Sequence, residues 1–193
     1  NKRNDQFRKE LNMDKNHLLL GSVGRLSDQK DPITMVEAFG IVIKSFPNAH
    51  LVLVGDGELR QKIVKRIDQL KLNGRVHLTG NKNNPWQIYH SLDLFIMSSI
   101  YEGLGRSITE ALSCGVPVVC TSVEGVPEII RDNKTGILVP PKDSNALADG
   151  VIRSLNNMEA AKKMAEQGRK FVNENFDVNK MVDDIDALYD TLL

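Results

Sequence analysis

The chain is short of several features that define major classes of protein. It has two cysteines among 193 residues, and two such residues cannot build a disulfide framework or a metal site. It has no run of about 18 apolar residues that could cross a membrane, and the polar opening segment 1–10 lacks the apolar stretch of a signal peptide. These absences predict a soluble, cytoplasmic protein in which Cys114 and Cys120 are reduced core thiols.

The chain also lacks an excess of charge of either sign. It carries 25 basic and 25 acidic side chains, so its formal net charge is zero with histidine neutral. Such a balance offers no global attraction for nucleic acid or for an anionic membrane. No nucleic-acid partner is therefore expected, whereas peripheral membrane contact through a local cluster stays open. The length suits one domain with a substantial core and argues against two.

Short apolar segments alternate with amphipathic ones along the chain. The apolar segments predict strands at 18–23, 51–54, 76–78, 94–97, 116–120 and 137–139. The amphipathic segments predict helices at 33–45, 59–70, 86–91, 107–114 and 127–131, and three more follow at 144–155, 158–172 and 179–192. Alternation with nearly continuous apolar strands predicts a parallel sheet covered by helices on both faces. We expect an α/β fold, a Rossmann-like doubly wound sheet in a single domain with C-terminal helices.

A charged loop follows the first predicted strand. Residues 24–32 read Gly-Arg-Leu-Ser-Asp-Gln-Lys-Asp-Pro, in which Asp31 and Pro32 predict a helix start. Arg25 and Lys30 would then lie at the carboxyl edge of a parallel sheet, where ligands of open α/β folds bind. Each alone is more readily a solvated loop charge. Together they predict a site for the two phosphates of a pyrophosphate, since both side chains bind phosphate well.

A second loop follows the fourth predicted strand. Residues 102–110 read Glu-Gly-Leu-Gly-Arg-Ser-Ile-Thr-Glu, which places carboxylates on both sides of a Gly-x-Gly turn into a helix. Amides at a helix N-terminus attract a diphosphate, and each carboxylate can accept hydrogen bonds from a pair of hydroxyls. An ordinary surface pair between Arg106 and Glu110 is the alternative. The presence of both loops favours a sugar nucleotide as the ligand.

Taken in order, these segments resemble the carboxyl-terminal, donor-binding domain of retaining glycosyltransferases of family 4, enzymes of the GT-B fold. The resemblance covers about residues 18–155. The segments that carry it are Arg25 with Lys30, Gly55-Asp56-Gly57, residues 102–119, and Gly125-Val126-Pro127-Glu128. It implies that residues 1–17 connect to a missing N-terminal, acceptor-binding domain and that 18–193 form the nucleotide-sugar domain. Such a half enzyme would be inactive by itself, and the missing half is one route to peripheral membrane contact.

The resemblance implies a role for each site residue. Arg25 and Lys30, with the amides of residues 104–106, would stabilise the charge that grows on the leaving phosphate. Glu102 would bind hydroxyls of the donor sugar, and Glu110 those of the ribose. The catalytic set is Arg25, Lys30 and Glu102, and the other donor-binding residues are Gly24, Gly57, Thr79, Gly80, Gly103, Leu104, Gly105, Arg106 and Glu110. No metal or cofactor is expected, the sugar nucleotide being the substrate with UDP as the favoured carrier.

Three functions stay open at this point. The first is sugar transfer from a nucleoside diphosphate to an acceptor hydroxyl with retention of configuration. The second is a non-catalytic module that binds a nucleotide sugar, and the third is a GT-B-type sugar-nucleotide epimerase. Two residues depart from the family pattern: Arg106 replaces a small or apolar residue, and Glu124 replaces a frequent glycine. Glu124 would either alter the choice of donor or face solvent.

Other residues are given structural roles. Glu128 would either orient Arg25 or Lys30 or cap a helix. Trp86 is expected to pack, and His50 and His77 to be structural imidazoles. The apolar stripe of the last helix, Met181, Ile185, Leu188 and Leu192, is expected to pack on this domain, although in the GT-B family such a helix commonly reaches the partner domain.

Overall fold

The centre of the domain is a parallel sheet. The structure, a computed structural model, describes residues 5–192, without the side chains of residues 5, 179, 184 and 192. In that range the sheet has six strands in the order β3-β2-β1-β4-β5-β6, all parallel. The strands are β1 (Leu18–Val23), β2 (Ala49–Val54), β3 (Val76–Gly80), β4 (Leu94–Met97), β5 (Val118–Thr121) and β6 (Ile137–Val139). The predicted doubly wound sheet is therefore confirmed, and its order reverses direction between β1 and β4.

Helices cover both faces of the sheet. They are α1 (Asp5–Glu10), α2 (Pro32–Ser45), α3 (Arg60–Gln69), α4 (Pro85–Tyr89), α5 (Arg106–Ser113), α6 (Val126–Ile129), α7 (Ser144–Asn156), α8 (Met158–Asn175) and α9 (Val178–Leu192). Neighbouring residues of one strand point to opposite faces. Leu20 of β1 belongs to the core under α2, α3 and α7, whereas Leu19 belongs to the core under α1, α4 and α5. An apolar core thus lies on each face of the sheet, as the apolar strands predict.

The opening segment contains a helix that the sequence pattern did not indicate. Phe7 of α1 is buried in the core, and the guanidinium of Arg8 donates to the carbonyl oxygen of Ser91 at 2.6 Å and lies 3.3 Å from the Asp93 carboxylate. Asp93 in turn accepts from the backbone N–H of Leu19 at 2.7 Å. Part of the segment expected to be a connection therefore packs on the domain; residues 1–4 lie outside the described range.

Two histidines interact near the amino ends of β2 and β3, at the other end of the strands from the predicted site. Nδ1 of His50 lies 2.9 Å from Nε2 of His77, and Arg75 lies 3.0 Å from Nε2 of His50. Since arginine only donates, Nδ1 of neutral His50 carries the proton and donates to His77. Burial, with smaller contributions from His77 and Arg75, lowers the pKa of His50 to about 4. The prediction of structural imidazoles agrees with this arrangement.

Both cysteines are buried and neither is in a disulfide, as predicted. Burial and then the Glu110 carboxylate raise the pKa of Cys114 to about 11, and burial raises the pKa of Cys120 as well. Both therefore remain thiols at neutral pH.

The last helix does not pack as expected. Met181, Ile185 and Leu188 are 44 to 58 % exposed, so the prediction that this stripe is buried on the domain is wrong. The 3.6-residue period does describe an apolar face correctly. The side chain of Leu192, the fourth member of the stripe, lies outside the described residues.

Candidate functional site

The loop between β1 and α2 has its shape fixed by Asp31. The carboxylate of Asp31 accepts from the backbone N–H of Thr34 at 3.3 Å and from its hydroxyl at 2.6 Å, and Pro32 takes the first helical position. Asp31 is the predicted N-cap, and it adopts a positive φ of 43°. A short 3₁₀ turn at Asp28–Lys30 precedes it. This turn brings Lys30 to the carboxyl edge of the sheet.

Lys30 meets Glu102 across the point where the strand order reverses. The ammonium group contacts Oε1 of Glu102, although the two residues follow β1 and β4 respectively. Glu102 is 7 % exposed, and the same Oε1 accepts from the hydroxyl of Ser99 at 2.7 Å. The two loops singled out from the sequence therefore open on the same edge of the sheet and share a contact.

Hydrogen bonds to backbone carbonyl groups hold these two loops together. The Ser98 hydroxyl lies 2.8 Å from the carbonyl oxygens of both Lys30 and Asp31. The N–H of Ile100 donates to the carbonyl of Gln29 at 2.8 Å. The Thr121 hydroxyl donates to the carbonyl of Ser99 at 2.6 Å and ties the second loop to β5. The positions of Lys30 and Glu102 are thus set by the scaffold.

The glycine turn after Glu102 leaves one side of the backbone open. A Cβ added at Gly103 would meet no atom within 4 Å, so a ligand could approach this part of the chain closely. Gly105 has a φ of 62° and forms the N-cap of α5. Gly125 backs the turn, since a Cβ there would lie 1.9 Å from the carbonyl oxygen of Gly103. The amides of Leu104, Gly105 and Arg106 lie at this turn, as the sequence predicts.

Glu124 supports the turn from the next loop. Its Oε2 accepts from the backbone N–H of Glu102 at 2.8 Å, although the side chain is exposed. Its backbone has a positive φ of 25°. Glu124 faces solvent, which was one of the two predicted alternatives, and it also contacts the acidic loop. An effect on the choice of donor stays a prediction.

The carboxylate of Glu110, in the second turn of α5, contacts two side chains. Its Oε2 accepts from the hydroxyl of Tyr89 at 2.8 Å, and its Oε1 lies 3.9 Å from the guanidinium of Arg106. Since Arg106 is 85 % exposed, this pair contributes little stability. The surface-pair alternative is present as a long contact, while the shorter bond is to Tyr89.

The other cation of the first loop is more exposed than Lys30. Nε of Arg25 lies 3.5 Å from Glu58, and 74 % of its side chain is exposed. The backbone N–H of Gly24 donates to the carbonyl oxygen of Val54 at 2.9 Å. Gly57 closely approaches the backbone of Leu26, where a Cβ would lie 2.4 Å from its carbonyl oxygen. The close approach at Gly57 is thus within the protein.

The loop after β3 borders an open groove beside Arg25. The groove has a volume of about 560 Å³, and its lining includes Gly24, Arg25, Asn81 and Lys82. Gly80 accepts the backbone N–H of Gly55 at 2.9 Å, which places the end of β3 beside the end of β2. Thr79 directs its hydroxyl to the carbonyl of Gly80 at 3.3 Å. Of the base pocket predicted at residues 79–82, Asn81 and Lys82 line this groove, whereas Thr79 and Gly80 do not. Base binding here stays a prediction.

Two sequence interpretations need correction. Trp86, which was expected to pack, does so only in part: its ring centroid lies 6.4 Å from that of Tyr89, but the residue is 50 % exposed at a groove of about 940 Å³ that Leu104 and Glu110 also line. A one-turn helix carries too little periodicity to show which side is buried. Glu128 is exposed in the first turn of α6. The partners of Arg25 and Lys30 are instead Glu58 and Glu102.

Within residues 5–192, no group of three or more His, Cys, Asp or Glu side chains is arranged to hold a metal ion. No helix in this described range is long and apolar enough to cross a membrane.

Comparison with known proteins identifies the family of this site. The family model described as "Glycosyl transferases group 1" matches residues 3–171. The chain belongs to the group 1 glycosyl transferases. Among curated relatives, it is 30 % identical over 184 residues to N-acetyl-alpha-D-glucosaminyl L-malate synthase of Bacillus anthracis, covering 95 % of this chain and 48 % of that protein. It is 27 % identical to the capsular polysaccharide biosynthesis glycosyltransferase CapM of Staphylococcus aureus, covering 100 % and 50 %.

Solved structures of group 1 glycosyl transferases and related proteins show the same fold. HepE of Anabaena, solved in complex with UDP-glucose, matches with a TM-score of 0.91 at 26 % identity, over 98 % of this chain and 52 % of that one. The C-terminal domain of a group 1 protein of Francisella tularensis, LpcC, matches with a TM-score of 0.81 at 24 % identity, over 92 % and 94 %. The chain spans about half the length of the curated relatives it matches.

Several residues of the site were not found from the sequence. Ser98 and Ser99 follow β4 directly, and their position at a carboxyl strand end was the available signal. Tyr89 gave no signal, because its partner Glu110 lies on another helix. For Glu58, the only signal available was its position a few residues after the predicted strand 51–54.

Proposed function

We propose that this chain is the donor-binding half of a retaining glycosyltransferase of family 4. In this role it binds a nucleoside diphosphate sugar, with UDP as the favoured carrier, and the acceptor hydroxyl is presented by a preceding domain. The observation that carries the proposal is the contact between Lys30 and Glu102 at the point where the strand order reverses. It places a cation that can bind phosphate beside a carboxylate that can accept hydrogen bonds from sugar hydroxyls. The UDP-glucose complex of HepE supports the choice of ligand.

The chemistry follows from where charge develops during transfer. As the anomeric C–O bond breaks, negative charge grows on the leaving β-phosphate, and groups that bind this charge lower the barrier. Lys30 has three N–H donors, so it can hold Glu102 and a phosphate oxygen at once. Arg25 and the amides of residues 104–106 supply further donors. In a front-face displacement the leaving phosphate helps to deprotonate the acceptor, so this half needs no separate base.

The two carboxylates then divide the hydroxyls of the donor. Glu102, held by Lys30 and Ser99, binds the sugar. Glu110, one turn into α5, binds the ribose. The groove beside Asn81 and Lys82 receives the base.

Titration of the chain with nucleotides tests the proposal. Calorimetry with UDP, GDP and ADP and their glucose derivatives should give saturable binding with UDP preferred, and each bound ligand should raise the unfolding temperature. Joined to its acceptor-binding domain, the chain should transfer sugar with retained configuration. Binding without transfer by such a two-domain protein would favour the non-catalytic module, and a change of donor stereochemistry without acceptor would favour the epimerase. If the chain bound none of the three nucleotides, the proposal would be contradicted.

A further inference from the structure

Tyr89 and Glu110 form a contact between two helices on the α5 side of the sheet. The hydroxyl of Tyr89, the last residue of α4, donates to Oε2 of Glu110 on α5 at 2.8 Å. Glu110 keeps 27 % of its side chain exposed, whereas Tyr89 is fully buried. The bond thus links an immobile core group to a carboxylate that faces the outside.

The ring of Tyr89 is held from more than one side. Its centroid lies 5.8 Å from that of Phe95 on β4 and 6.4 Å from that of Trp86. Side chains packed at core density keep one rotamer, so the position of the hydroxyl oxygen is fixed by the core. A partly exposed glutamate has less packing restraint of its own, so it keeps more rotamer freedom than a core residue.

The direction of this hydrogen bond is defined by chemistry. An ionised carboxylate only accepts, so the phenol must donate. Burial, followed by the hydrogen bond to Glu110, raises the pKa of Tyr89 well above its ordinary value, so the phenol keeps its proton. A hydrogen bond to a charged acceptor is stronger than a neutral one. Oε2 is thereby anchored, and the orientation of Oε1 follows from it.

Arg106 competes only weakly for the same carboxylate. Its guanidinium lies 3.9 Å from Oε1, beyond hydrogen-bond distance, and the side chain is 85 % exposed. Of these two contacts of the Glu110 carboxylate, the bond from Tyr89 is therefore the one that restrains it.

We propose that Tyr89 is a positioning residue that orients the Glu110 carboxylate to recognise the ribose hydroxyls of the nucleotide. This inference rests on the proposed function, since it assigns the ribose to Glu110. Preorganised acceptors bind more tightly because less freedom is lost on binding. The effect acts on ribose recognition alone and leaves the binding of phosphate and base to other groups.

The experiment compares two ligands that differ only in the ribose. The affinities of UDP and of 2′,3′-dideoxy-UDP are measured by calorimetry for the chain and for Tyr89→Phe, which keeps the ring and removes the hydroxyl. Tyr89→Phe should weaken UDP binding about fivefold, the size of one lost hydrogen bond, and leave the affinity for dideoxy-UDP within about twofold. Tyr189→Phe, which removes an exposed hydroxyl from α9, is the matched control and should change neither value.

A double-mutant cycle separates positioning from stability. In the Glu110→Ala background, Tyr89→Phe should have no further effect on the ratio of the two affinities, because the carboxylate it orients is gone. An equal loss of both affinities in Tyr89→Phe would show a purely structural role and overturn the inference, while leaving the proposed function intact. A chain that binds none of UDP, GDP and ADP would overturn the proposed function and this inference with it.

Discussion

The ammonium group of Lys30 contacts the carboxylate of Glu102, the residue proposed to bind the donor sugar. The two side chains should therefore respond as one unit. A change in Lys30 should alter the position of Glu102, and a change in Glu102 should remove the carboxylate that pairs with Lys30. Glu102 is the more buried of the two, at 7 % exposed against 26 %. The site should consequently respond to mutation more strongly at this pair than at the exposed Arg25.

Replacement of Lys30 tests its phosphate role. Lys30→Ala should weaken UDP binding by about 1.5 to 3 kcal/mol, the range for charge-assisted hydrogen bonds. Arg25→Ala should cost about 1 kcal/mol, because this side chain is 74 % exposed. Calorimetric titration measures both, with Lys163→Ala, an exposed lysine of α8, as the control. Unchanged affinity in Lys30→Ala would refute the phosphate role.

Two glycines of the site should respond to alanine in different ways. Gly103→Ala should leave the free energy of unfolding within about 0.5 kcal/mol, because its Cβ would enter open space, yet it should weaken nucleotide binding by obstructing the backbone. Gly125→Ala should lower the stability by about 3 kcal/mol or more, since its Cβ would lie 1.9 Å from a carbonyl oxygen. Denaturant unfolding and UDP titration give the two readouts. Normal UDP affinity in Gly103→Ala would argue against ligand contact at this turn.

Glu124 should matter through its acceptor oxygen and not through its charge. Glu124→Ala removes the partner of the Glu102 N–H and should cost about 1 kcal/mol of stability. Glu124→Gln keeps an acceptor oxygen and should cost less than half as much. Urea unfolding compares the two variants. If glutamine were as destabilising as alanine, the charge of Glu124 would be the relevant property.

The buried pair of Arg8 and Asp93 should stabilise the attachment of α1. Arg8→Met should lower the free energy of unfolding by about 3 kcal/mol, because it leaves the Asp93 carboxylate and the Ser91 carbonyl with one donor fewer each. Lys9→Met, at the exposed next position, is the matched control and should change stability little. A loss no larger than that of the control would mean that this ion pair does not hold α1 on the domain.

His50 should make the domain less stable in mild acid. Its pKa is about 4 in the folded state against 6.5 for the free side chain, so between these values the unfolded chain binds a proton that the folded one does not. Stability from this source is complete above pH 6.5 and falls as the pH decreases toward 4, by at most about 1.4 kcal/mol per unit. Unfolding at pH 7 and pH 5 should show a smaller difference for His50→Gln than for the natural chain. Equal differences would exclude His50 as the source.

The sequence pattern was sufficient for the sheet and for the edge where the site lies. Apolar strands such as 18–23 and 94–97 have ends that differ little from the observed ones, because a strand buried on both faces needs a continuous apolar run. The convergence of the loops holding Lys30 and Glu102 followed from the rule that parallel strands end at one edge. Neither inference required knowledge of side-chain positions.

Contacts between distant segments could not be predicted in the same way. The bond from Tyr89 to Glu110 depends on how α4 and α5 cross, and no local period encodes that geometry. In the opening segment, Phe7 and Leu11 are too few apolar residues to show a helical stripe, so the burial of Phe7 emerged only from tertiary packing. In α9 the stripe was visible, but the pattern does not say what covers it.

The strand order has a kinetic consequence. β1 and β4 are neighbours in the sheet, yet two strands and three α-helices, from α2 to α4, separate them along the chain. During refolding, Lys30 cannot meet Glu102 until β4 has docked on β1, and such long-range pairing is slow because a large loop must first close. Nucleotide capture should therefore be among the last abilities the chain recovers, which makes it a sensitive reporter of complete folding.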